Sequence, residues 1–70
     1  MTDNVEVMLR LPEVLRARGA SKSTLYSDIK AGKFPAPVKL GERSSGWPAS
    51  EVRAWQQARI AERDRQTTAA

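Results

Sequence analysis

Neither cysteine nor histidine occurs anywhere in the 70 residues. Without thiols no disulfide can staple a small fold, and without Cys or His the ordinary ligand sets for zinc are missing. A chain free of cysteine also fits a reducing compartment. The commonest general base and the most reactive nucleophile are absent with them. No carboxylates cluster, and no glycine-rich loop is placed to cradle a phosphate. The expectation is a non-enzyme with no metal and no cofactor.

Long apolar runs are also lacking: nothing approaches the roughly 18 residues a membrane helix needs. Met1 is followed by Thr2, Asp3 and Asn4, with no basic stretch leading into an apolar one. A soluble, cytoplasmic protein is expected, with no membrane partner. Seventy residues hold one domain with a thin core. Aromatics are few: Trp47, Trp55, Phe34 and Tyr26.

Positive charge is what the chain has in excess, with 12 Lys and Arg against 8 Asp and Glu. It is concentrated: from Arg10 to Arg43 there are eight basic residues (Arg10, Arg16, Arg18, Lys22, Lys30, Lys33, Lys39, Arg43) and three acidic ones. From Glu51 onward the balance is four to three. Such a distribution favours a polyanionic partner, although a solvated basic surface has the same composition.

Val5, Val7, Leu9 and Leu11 alternate with polar or longer residues, which predicts a half-buried strand or a loosely ordered arm. Pro12 is placed for the first position of a helix whose apolar residues Leu11, Val14 and Leu15 share a face. Gly19 ends it. Ser21 is the N-cap of a second helix, in which Leu25 and Ile29 face the core and Gly32 is the stop. Two short helices joined through a glycine-containing turn make a helix-turn-helix outline. Val38 to Trp47 predicts a β-hairpin with a polar, basic tip at 41–44. Pro48 and Ser50 open a last helix carrying Val52, Trp55 and Arg59 on one face with Ile60 beside them. That helix is expected to fray from Arg63, leaving residues 66–70 as a disordered tail after a single domain over 1–65.

At 100° per residue, Ser27 lies about opposite the direction of Leu25 and Ile29, with Ser23 and Lys30 about 40° and 60° to one side of it. Thr24 flanks the stripe on the other side, while Lys22 and Tyr26 sit at its border. A face free of bulk and rich in hydroxyls suits entry into a DNA major groove, where Ser and Thr reach base edges and Lys and Tyr hold phosphates. The bland alternative is an over-long cap followed by cations at a helix C-terminus. It accounts for Ser21 but not for Ser23 and Ser27, poor helix formers in mid-face. The hairpin adds Lys39 on a strand and Arg43 and Ser44 at the tip, placed to reach a phosphate or a narrow minor groove. A solubilising role at a sheet edge is the alternative for Arg43. Trp47, Trp55 and Phe34 read as core rather than base-stacking platforms.

The blocks S-K-S-T-L-Y (21–26) and G-K-F-P-A-P-V-K-L-G (32–41), with R-x-x-x-W from Arg43 to Trp47, closely resemble the AlpA-type phage and prophage regulators. These are relatives of excisionases with a MerR-like winged helix. The resemblance spans nearly the whole chain; Ala20 departs from it, where a larger aliphatic residue is typical. It implies a mostly α, three-helix winged helix-turn-helix that binds double-stranded DNA sequence-specifically inside a bacterial host, at the nucleoid. Its implied site residues are Ser21, Lys22, Ser23, Thr24, Tyr26 and Arg43. Its implied partners extend to integrase or the transcription machinery, and a module this small would gain affinity from self-association or cooperative binding along DNA. Two alternatives stay open: an excisionase-like directionality or DNA-packaging factor, and a protein-interaction module such as an antitoxin or adaptor using the last helix.

Overall fold

The structure, a computed structural model, describes residues 5–69, with side chains through 66. The order is β1 (Met8–Leu9), α1 (Leu11–Arg18), α2 (Lys22–Lys30), β2 (Val38–Lys39), β3 (Ser45–Pro48) and α3 (Ala49–Ala69). Three helices and a small antiparallel sheet make a winged helix-turn-helix.

Local chemistry sets the helix ends. Pro12 sits in the first turn of α1, where its missing N–H costs nothing. The Arg10 N–H donates to Glu13 Oε1 at 2.8 Å, which also places a negative charge at the positive end of the helix. Gly19 closes α1 in the left-handed conformation (φ 75°), donating to the Leu15 carbonyl at 2.8 Å. In α2 the Ser21 Oγ accepts from the Thr24 N–H at 3.3 Å. Beyond its last turn, Gly32 takes φ 78° while the Lys33 N–H donates to the Asp28 carbonyl at 2.7 Å. These two glycines let the chain reverse twice around a helix of only nine residues.

The sheet has β3 in the centre, with order β1-β3-β2. Met8 faces Pro48 and Leu9 faces Trp47 on one side; Val38 faces Gly46 and Lys39 faces Ser45 on the other. Gly46 is buried where both edge strands close in. A Cβ there would lie 2.9 Å from Leu40 Cδ1, 3.2 Å from the Leu9 carbonyl and 3.4 Å from Met8 Cβ. Val14, Leu25, Phe34, Trp47 and Val52 form the core, drawn from α1, α2, the α2–β2 linker, β3 and α3. Leu9, Leu11, Leu15, Ala17, Ile29 and Trp55 pack around them.

Three sequence expectations need correction. The alternating strand over residues 5–11 shrinks to Met8–Leu9, and Leu11 is helical. Val5 and Val7 are exposed; that segment is held through its backbone and Glu6, with the Ala49 N–H donating to the Val7 carbonyl and the Ser50 N–H to Glu6 Oε2. Pro48 ends β3 instead of opening α3, and the α3 cap comes from Glu6. Ile60, beside the Val52–Trp55 face, is 42% exposed. Finally, the helical backbone of α3 runs past Arg63 to Ala69, in a stretch rich in Ala, Arg, Gln and Glu, mostly good helix formers. Of the expected tail at 66–70, the side chains of 67–69 and all of residue 70 lie outside the described residues.

Candidate nucleic-acid interface

Burial of Leu25, with Ile29 half-buried, fixes the inward face of α2. Lys22, Ser23, Thr24, Tyr26, Ser27 and Lys30 are all exposed. Tyr26 shows 42% of its surface. Thr24 is partly engaged: its N–H is capped by Ser21, whose hydroxyl also donates to Thr24 Oγ1 at 3.2 Å. Ser23, Ser27 and Lys30 carry no such local tie among the described contacts.

The wing brings the second group. Lys39 is exposed on β2 and Arg43 at the bend 41–43. Ser44 is half-buried, and its carbonyl closes the turn by accepting from the N–H groups of Leu40 (2.8 Å) and Gly41 (3.3 Å). Among the described residues, Lys22, Lys30, Lys39 and Arg43 stand in no ion pair. They are therefore available to an external anion.

Arg18 is different. The charge count placed it in the positive field, but its Nε and Nη2 both donate to Asp28 Oδ2, and its guanidinium lies 5.1 Å from the centre of the Trp55 ring. Asp28, the acid nearest the α2 stripe, is consumed by the same pair. The effect on the interface is to remove one cation and one anion together, leaving the exposed face of α2 purely basic and hydroxylic.

Ser21 is engaged in the cap; the other nine sequence-derived residues fall into two groups, six on α2 and three on the wing. What joins them is the linker at 33–35, and here the sequence reading missed residues that matter. Trp55 Nε1 donates to the Lys33 carbonyl at 3.0 Å, and Trp47 Nε1 donates to the Pro35 carbonyl at 2.9 Å. Phe34 between them is buried and meets Trp55 edge-on, with ring centroids 5.1 Å apart. The indole of the buried Trp47 needs an acceptor, so the sequence carried that demand but not the identity of the partner.

With this geometry in hand, comparison with known proteins assigns the class. Residues 7–60 match the family model described as "Prophage CP4-57 regulatory protein (AlpA)". The chain belongs to this family of phage regulatory proteins. Among relatives, it is 48% identical over 60 residues to "Uncharacterized protein ORF88" of Enterobacteria phage P4, an alignment covering 86% of this chain and 68% of that protein. No solved structure matches it.

Proposed function

We propose that the chain is a sequence-specific double-stranded DNA-binding regulator that acts by binding rather than by catalysis, in the cytoplasm of a bacterial host. The helix α2 enters the major groove. Ser23, Thr24, Ser27 and Lys30 face the base edges, and Lys22 and Tyr26 hold the flanking phosphates. The wing, through Lys39, Arg43 and Ser44, meets the adjacent backbone or minor groove.

The observation that carries this reading is the exposed face of α2. It is free of bulk and free of acid once Arg18 has taken up Asp28, and it lies opposite the buried Leu25 on a helix of a regulatory family. About five phosphate contacts give a log–log salt slope near −4 to −5, so binding to a duplex should weaken roughly 250- to 1000-fold between 50 and 200 mM salt. Fluorescence anisotropy with a labelled duplex measures this, and an affinity indifferent to salt would sink the reading. Transcription control and excision use the same surface; a promoter reporter read beside an in vitro excision assay separates them.

A further inference from the structure

The connection between α2 and the wing is held far more tightly than chain closure requires. Three consecutive residues are each fixed by a different contact. The Lys33 carbonyl accepts from Trp55 on α3, the Phe34 side chain is buried in the core, and the Pro35 carbonyl accepts from Trp47 on β3. The donors come from 22 and 12 residues away. Pro35 and Pro37 restrict the backbone further, through their own fixed φ and by disfavouring the helical region for Phe34 and Ala36. The core needs the rings of the two tryptophans, and phenylalanine could supply much of that packing. The indole N–H groups add something separable, a fixed path for the chain from the end of α2 to the start of β2.

Resting on the DNA-binding reading above, we infer that Trp47 and Trp55 are positioning residues: their N–H groups set the wing at a fixed offset from α2, so that helix and wing meet one duplex as a single preorganised surface. Neither tryptophan touches the nucleic acid. Their effect reaches it through Lys39 on β2, the strand that follows the pinned residues, and Arg43 at the bend after that strand. A wing fixed in advance loses little freedom on binding, whereas a swinging one must be ordered at the expense of affinity.

The test is the salt dependence of duplex binding for the parent, Trp55→Phe, Arg43→Ala and the double variant, each checked for fold by circular dichroism. The number of phosphate contacts is read from the slope, so a variant that is merely less stable but still folded keeps the parent's slope. We expect Trp55→Phe to stay folded and to lose about two units of slope, corresponding to Lys39 and Arg43. Arg43→Ala should remove about one unit from the parent and nothing further from Trp55→Phe. The proposal is overturned if Trp55→Phe keeps the parent's slope, or if Arg43→Ala costs the same in both backgrounds. Should Trp55→Phe fail to fold, Trp47→Phe carries the same comparison through the Pro35 carbonyl. Failure of both to fold would show the bonds to be supports of the core alone, and would overturn the proposal too. A parent with no salt-dependent duplex binding defeats the DNA reading itself, a result distinct from a wing that binds without its pins.

Discussion

Arg18 and Asp28 lock the end of α1 to the last turns of α2: two guanidinium nitrogens share one carboxylate oxygen, with both side chains about four-fifths buried (22% and 19% exposed). The Trp55 ring supports the guanidinium from α3. One pair and the ring beside it therefore link three helices.

Removing one member leaves the other charge largely buried and uncompensated. Asp28→Ala should lower stability by about 1–3 kcal/mol, read as a lower urea midpoint at unchanged m-value. An unchanged midpoint would mean that the pair contributes nothing to the helix junction.

The same pairing withdraws Arg18 from the proposed binding surface. Arg18→Gln should leave the salt slope of duplex binding where it was, even if stability falls, while Lys30→Ala should flatten it by about one unit. A slope lost on Arg18→Gln would return that residue to the interface.

At the centre of the sheet, a methyl group on Gly46 meets the Leu9 carbonyl and Met8 Cβ as well as the movable end of Leu40. Gly46→Ala should cost about 1–3 kcal/mol through overpacking. In Gly41→Ala the added carbon meets only Ser44 Oγ, at an ordinary 3.6 Å, and should be nearly neutral. Equal costs in thermal melts would show that the strands part easily around Gly46.

Glu6 gives a pH signature. Hydrogen bonds from the Ser50 side chain and backbone, with help from the charge of Arg53, hold its carboxyl below the ordinary carboxylate range. A carboxyl depressed in the folded state adds stability above its unfolded pKa and loses it as pH falls through the folded one. The parent should thus lose an increment of stability on acidification below about pH 4.3 that Glu6→Gln lacks. Parallel curves of melting temperature against pH for the two proteins would count against the cap.

What the sequence made readable was local. The Ser21 cap, the glycines at 19 and 32 and the Leu25–Ile29 face all follow from interactions within a few residues, and all three stand in the structure. The hidden features join distant residues. Period-two alternation marked residues 5–11 as extended, but only pairing with Trp47 and Pro48 decides that two of them form a strand. The cap of α3 comes from 44 residues upstream. Arg18 looked like any other cation because its charge is cancelled only by the packing of α1 on α2. Both tryptophans read correctly as packing residues, yet the carbonyls that their N–H groups hold were invisible without the fold.

The central claim is that α2 reads sequence. Selection of bound duplexes from a random pool, run with the parent and with Lys30→Ala, tests it most directly. The account predicts one enriched motif for the parent and a motif relaxed at specific positions for the variant. No enrichment with the parent, at a salt concentration where it binds, would contradict it.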